Sequence, residues 1–75
     1  MIHDNEIDAT GLLCPLPVLK IRKRLKSVDS GKILLVLADD PASIIDIPHF
    51  CNEQGHQLLK MGKSKTNLTF FIKKK

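Results

Sequence analysis

Residues 11–17 are Gly-Leu-Leu-Cys-Pro-Leu-Pro, and they predict the point where a strand ends and a helix begins. Proline fixes φ near the helical value and has no N–H group, so it is tolerated in the first turn of a helix. Pro15 and Pro17 therefore predict a helix start, with Pro15 at the first helical position and Cys14 as the capping residue. Gly11 suits a tight turn before it.

The predicted position of Cys14 favours a reactive thiol. Free N–H groups and the helix dipole stabilise negative charge at a helix N-terminus, and cysteines at such positions or near cations have a lowered pKa. The sequence therefore predicts an exposed nucleophile with a lowered pKa at Cys14. A buried apolar cysteine is the alternative, and it does not explain two prolines at a helix start. The cations that follow are Lys20, Arg22, Lys23, Arg24 and Lys26.

The pattern on either side of this segment predicts a strand, a helix and a second strand. Alternation over 5–9 indicates a short strand. Apolar residues at helical spacing over 15–28 predict an amphipathic helix that ends at Gly31. An unbroken apolar run within 32–38 predicts a strand in the centre of a sheet.

The second half repeats the helix signal and ends in a hairpin. Asp40 is the predicted N-cap of a helix that begins at Pro41 and ends at Gly55, with Pro48 expected to kink or restart it. Alternating apolar residues over 56–61 and 67–73 predict two strands joined across 62–66. The inward residues of this half are predicted to be Ile44, Ile47, Cys51, Leu59, Met61, Leu68, Phe70 and Ile72.

These elements predict an α+β fold, a two-layer α/β sandwich in the order β-α-β-α-β-β. Right-handed crossovers place both helices on one face of a four-stranded mixed sheet. A chain of 75 residues is sufficient for one domain, predicted to span 1–75. The chain has no Trp or Tyr, which predicts an aliphatic core.

Charge and cysteine usage limit the function classes. The net charge is +4, but the run Lys73 to Lys75 is typical of a solvated tail, so no direct nucleic-acid binding is predicted. With no signal peptide and no apolar run long enough for a bilayer, the sequence predicts a cytoplasmic protein with reduced thiols and no membrane contact. Cys51 is expected in the core rather than as a second sulfur site.

The histidines and Asp40 are candidates for roles beside Cys14. His49, Cys51 and His56 do not have zinc spacing, so neither a metal site nor a cofactor is predicted. Either histidine as a base for Cys14 is an alternative to ordinary surface histidine. Asp40 follows the second strand and is expected beside Cys14, where α/β folds place their sites. The predicted partner-binding residues are Pro15, Pro17, Arg22 and Asp40.

Three motifs together resemble a known family. They are GLLCPLP at 11–17, DDPA at 39–42 and DIPHFC at 46–51, and they resemble the TusA-like (SirA-like) family of small sulfur carriers with a Cys-Pro-x-Pro signature. The resemblance covers nearly the whole chain in the order and length of its elements.

The resemblance implies a sulfurtransferase in which Cys14 accepts sulfane sulfur from a cysteine desulfurase as a persulfide and relays it to an acceptor protein complex. The acceptor pathway it favours is 2-thiouridine modification of tRNA, and sulfur delivery to molybdenum-cofactor synthesis or other sulfur metabolism is the alternative. Leu13 and Leu16 stand where tRNA-relay members are expected to carry Arg and Glu. A monomer is expected, because a carrier needs transient partners.

Two other function classes stay open. A non-catalytic module would use the basic first helix to bind RNA or a regulatory protein, although the chain lacks the Trp and Tyr platforms on which bases stack. A thiol-disulfide or peroxide-reducing protein would also use Cys14, but no resolving cysteine lies nearby in the sequence.

Overall fold

The computed structural model describes residues 2–75, and its elements follow the predicted order β-α-β-α-β-β. This confirms the predicted α+β fold with a four-stranded mixed sheet and two helices. The elements are β1 Asn5–Asp8, α1 Leu16–Leu25, β2 Ile33–Ala38, α2 Ser43–Gln54, β3 Gln57–Lys63 and β4 Leu68–Lys73.

The sheet has the strand order β1-β2-β4-β3. β1 pairs in parallel with β2, in a register that places Ile7 opposite Val36. β4 pairs antiparallel with both β2 and β3. The long apolar run of the second strand is explained by this position, since β2 has a neighbour on each side.

Both helices cover one face of this sheet. Alternate residues of β2 and β4 point into a single apolar cluster, and α1 and α2 contribute the residues that pack onto them. Burial of each such aliphatic side chain contributes about 1.5–3 kcal/mol relative to exposure. The fully buried residues are Ala9, Ile21, Leu34, Val36, Ala38, Ile47, Phe70 and Ile72.

The first helix is shorter than predicted at both ends. It begins at Leu16 with Pro15 as the N-cap residue, so the predicted assignment of Cys14 as cap and Pro15 as first helical residue is wrong by one position. At the other end, Ser27 and Val28 donate to the carbonyls of residues three positions earlier. The last predicted turn is therefore tighter than an α-helix, and Val28 still packs in the core.

The second helix begins at Ser43 with Ala42 at its N-cap, two residues later than predicted. Pro48 lies inside the helix, which continues past it to Gln54, so the predicted restart is wrong. The buried face contains Ser43, Ile47 and Cys51, whereas Ile44 is 40 % exposed, contrary to prediction. Gly55 ends the helix as predicted, with a φ of 79° and its N–H donating to the Cys51 carbonyl.

The hairpin differs from the prediction on its first strand. Its register shifts between Leu58 and Lys60, and such an irregularity changes which side chains face the core. Leu58 therefore packs against the core, while Met61 is 46 % exposed, contrary to the predicted inward alternation. On β4, Leu68, Phe70 and Ile72 are buried as predicted.

Candidate functional site

The candidate site lies where the chain leaves β1 and β2. These strands are parallel neighbours, so their carboxyl ends meet at one edge of the sheet, where α/β folds usually place their sites. The β1–α1 loop carries Cys14 there, and the β2–α2 loop carries Asp39 and Asp40. The sheet pairing continues one residue past β1, where Ala9 donates its N–H to the Leu37 carbonyl at 2.7 Å.

Two consecutive aspartates hold the loop that carries the cysteine. Asp39 accepts the Gly11 N–H at 2.9 and 3.1 Å through its two carboxylate oxygens. Asp40 accepts the Cys14 N–H at 2.7 Å through Oδ2 and the Ala42 N–H at 3.1 Å through Oδ1. Asp40 therefore caps a backbone amide at the approach to α2 and at the same time fixes the backbone of Cys14.

The Cys14 thiol is exposed and donates to the carboxylate of Asp46. The distance from Sγ to Asp46 Oδ2 is 2.8 Å. This hydrogen bond raises the pKa of Cys14 above its ordinary value, and partial desolvation and the charges of Asp46 and Asp40 raise it further. The predicted lowering of the Cys14 pKa is therefore wrong in this structure.

Two features of the structure explain that outcome. Cys14 lies one residue before the N-cap of α1, and the dipole effect weakens beyond the terminal turn. The first cation of α1 in sequence is also directed elsewhere, because Lys20 Nζ donates to the Asp8 carbonyl at 2.5 Å. The charges that act on the thiol are therefore those of Asp46 and Asp40, rather than the predicted cations.

A groove of about 280 Å³ opens beside Cys14 between α1 and α2. Its polar side includes a pair in which His49 Nε2 and Glu53 Oε1 are 2.7 Å apart, so His49 has a partner other than the thiol. None of the described residues that line the groove is Lys or Arg. The other lining residues are Pro15, Val18, Asp46 and Phe50.

Comparison with known proteins identifies the family. The family model described as sulfurtransferase TusA matches residues 5–74. The chain belongs to the TusA family. It is 41% identical over 75 residues to the sulfur carrier protein TusA of Pseudomonas entomophila, covering 100% of this chain and 94% of that protein.

A solved structure agrees with the TusA family assignment. The crystal structure of a SirA-like protein from Desulfitobacterium hafniense superposes with a TM-score of 0.81 at 26% identity, covering 93% of this chain and 96% of that chain. Family membership makes the chain a relative of sulfurtransferases and sulfur carriers. Among residues 2–75, no helix has the length and apolar character needed to cross a membrane.

The residues that were predicted to contact a partner have different surroundings. Pro15 lines the Cys14 groove, and Arg22 is exposed on α1. Pro17 is buried at the second position of α1. Asp40 lies beside Cys14 as expected, and partner contact by Pro15, Pro17, Arg22 and Asp40 stays a prediction.

Cys51 and His56 have surroundings of their own, separate from the contacts of the Cys14 thiol. Cys51 is 1% exposed, which confirms its predicted core position, and burial raises its pKa to about 11. His56 accepts the Lys75 N–H at Nδ1, and burial, together with Lys74 and Lys75, lowers its pKa. Within residues 2–75, no three metal-binding side chains are grouped closely enough to hold an ion.

Sequence reasoning missed Asp39 and Asp46 as parts of this site. In the sequence, Asp39 was noted only as the residue before the predicted cap Asp40, and Asp46 only as the first residue of the third motif. One signal was available for Asp46, since it lies in the first turn of α2 and that helix follows a strand parallel to β1. An acidic residue in a helix's first turn is ordinarily explained by the dipole, so its presence there does not by itself indicate a contact with the thiol.

Proposed function

We propose that the protein is a sulfur carrier that accepts sulfane sulfur as a persulfide on Cys14 and transfers it to an acceptor protein. The observation that carries the proposal is the exposed thiol of Cys14 at the sheet edge, on a loop fixed by Asp39 and Asp40. The second cysteine, Cys51, is buried, so Cys14 carries the accessible thiol within residues 2–75.

Persulfide transfer requires little other machinery. The Cys14 thiolate attacks the outer sulfur of a donor persulfide, a new S–S bond forms at Sγ, and the donor leaves as a thiolate. The acceptor's thiolate then attacks the carried sulfur in the same way and releases Cys14. Neither step needs a cofactor or an outside oxidant, because each S–S bond that breaks is replaced by another.

The proposed donor is a cysteine desulfurase, and the proposed acceptor is a protein complex that delivers sulfur to the 2-thiouridine of tRNA. The Pseudomonas entomophila relative, which carries the name sulfur carrier protein TusA, supports the carrier role. Delivery to molybdenum-cofactor synthesis is the alternative acceptor route. Leu13 and Leu16, at places where a tRNA relay would be expected to carry charged residues, are the reason to test both.

The cellular setting follows from the chemistry. A carrier thiol must stay reduced between transfers, so the proposal places the protein in a reducing compartment, the cytoplasm. Transient exchange with two partners through one exposed edge favours a monomer.

Intact-mass spectrometry after incubation with a cysteine desulfurase, pyridoxal phosphate and cysteine tests the proposal. Each sulfur atom added as a persulfide increases the mass by about 32 Da. We expect the adduct in the wild type and in Cys51→Ser, and its loss in Cys14→Ser. An adduct that survives in Cys14→Ser, or no adduct where a control carrier reacts, would refute the carrier function.

A further inference from the structure

Large apolar side chains are exposed on the two segments that carry Cys14 and Asp46. Leu13 is 70% exposed, Leu16 49% and Ile45 74%. Leu13 precedes the cysteine, Leu16 begins α1, and Ile45 precedes the aspartate that holds the thiol. Leu13 and Leu16 lie next to the cysteine in sequence, so a protein that brings a sulfur atom to Cys14 approaches them, and contiguous exposed apolar surface usually marks an interaction site. We call these three residues the apolar collar.

Two carboxylates accept hydrogen bonds from Cys14. From α2, Asp46 accepts the S–H at 2.8 Å, and from the β2–α2 loop Asp40 accepts the Cys14 N–H. The other titratable groups that face the groove are His49 and Glu53, which pair with each other. A thiolate at Cys14 would therefore form beside negative charge, yet the thiolate is the form that attacks sulfur.

This combination indicates the chemistry of the partner. We propose that the sulfur donor docks through a segment that combines apolar side chains with an Arg or Lys, the apolar side chains covering the collar and the cation pairing with Asp46. The inference rests on the proposed function. Pairing draws Asp46 away from the S–H and neutralises its charge, so the thiolate forms more readily in the complex, and the thiol of the isolated carrier is less reactive.

The transfer within that complex balances without another reactant. Cys14 gives up its proton, and Sγ attacks the outer sulfur of the donor's neutral persulfide. The S–S bond of the donor breaks as the bond to Sγ forms. The donor thiolate that leaves takes up the proton that Cys14 lost, which passes through the water that reaches this exposed site.

The Asp46→Asn variant separates this mechanism from one in which Asp46 is a base. Asparagine has the same shape and removes the charge. Alkylation of the isolated protein by iodoacetamide at pH 7 is expected to rise about three- to tenfold, because removing a charge beside a thiol changes its thiolate fraction by that order. Sulfur loading by a purified cysteine desulfurase is expected to fall by a similar factor, because the donor's cation loses its partner.

Matched controls lie at the opposite end of the sheet. Asp29→Asn removes an exposed carboxylate there, and Ile2→Ser removes an apolar side chain that is 88% exposed; neither should alter alkylation or loading. Leu13→Ser should slow loading about fivefold, in the range expected for a contact worth roughly 1 kcal/mol, and leave alkylation unchanged. Added salt should slow loading of the wild type, because it screens an exposed ion pair.

The outcomes distinguish failure of the proposed carrier function from failure of the docking inference. A wild type that is not loaded at all, where a control carrier is, overturns the proposed function and this inference with it. Normal loading of the wild type with equal loading of Asp46→Asn overturns the inference alone. Slower alkylation of Asp46→Asn overturns it as well, since Asp46 would then be promoting thiolate formation. If Asp46→Asn fails to fold, the salt dependence of wild-type loading is the test. A loading rate that does not change with added salt would then contradict the inference.

Discussion

Replacement of Asp40 by Ala tests the link between the two loops of the site. The variant removes an acceptor for the Cys14 N–H at 2.7 Å and for the Ala42 N–H at 3.1 Å. An N-cap-like substitution costs about 0.5–2 kcal/mol, and a hydrogen bond to a charged group contributes about 1.5–3 kcal/mol when it is well shielded. The first bond lies at the exposed surface, so we expect a total loss of about 1–3 kcal/mol in the free energy of unfolding.

Urea and thermal unfolding followed by circular dichroism measure this loss. For a domain of this size, 1 kcal/mol corresponds to about 4–8 °C in Tm, so the expected decrease is roughly 5–20 °C. Asp40→Asn keeps one acceptor oxygen and should lose about half as much. Asp29→Ala is the control, and as an exposed substitution it should change stability by less than about 0.5 kcal/mol.

Hydrogen exchange adds a local reading of the same contact. The Cys14 amide should exchange faster in Asp40→Ala, while the Gly11 amide, held by Asp39, should change less. If Asp40→Ala were as stable as the Asp29→Ala control and the Cys14 amide kept its protection, the carboxylate would not be holding the loop.

Three other properties can be checked on the isolated protein. Iodoacetamide at pH 7 should modify Cys14 in the folded protein and Cys51 only after unfolding, because burial raises the pKa of Cys51 to about 11; similar labelling of both thiols in the native protein would contradict the burial. Gly62→Ala should lower the unfolding free energy by about 1 kcal/mol or more, because its Cβ would lie 2.7 Å from Thr69 Oγ1, and a second change, Thr69→Ala, should recover part of the loss. Burial lowers the pKa of His56, so folding favours its neutral form; this contribution is present above the unfolded pKa and is lost as pH falls through the folded one. Urea titrations between about pH 7 and 5 should therefore show a shallower pH dependence in His56→Gln than in the wild type, and equal slopes would contradict it.

The fold was predictable because local signals and burial agreed along most of the chain. The alternation of Leu68, Phe70 and Ile72 and the central run of β2 each indicated a strand, and each strand is present. The exposure of Met61 could not be predicted in this way, because it depends on a register shift between β3 and β4. A shift of this kind arises from the pairing of two strands and leaves no mark in the alternation of one.

The position of the site could be predicted from the sequence, but the predicted direction of the Cys14 pKa shift was wrong. Two prolines placed Cys14 near a helix start, and the parallel strands placed Asp40 beside it. The charge state of the thiol depends instead on Asp46, which lies 32 residues away in sequence, and on a helix that begins one residue later than the prolines suggest. Local rules describe the dipole of one helix, whereas the contact that controls the thiol joins the β1–α1 loop to α2.

Peptide-level mass spectrometry of sulfur-loaded protein tests the central claim most directly. Cleavage after Lys and Arg gives one peptide ending at Lys20 that contains Cys14 and another spanning residues 33–60 that contains Cys51. After loading by a cysteine desulfurase, alkylation and digestion, we predict the additional sulfur on the Cys14 peptide alone, as an increment of about 32 Da over the alkylated thiol. Sulfur on the Cys51 peptide, or on neither peptide when a control carrier is loaded in parallel, would contradict the account.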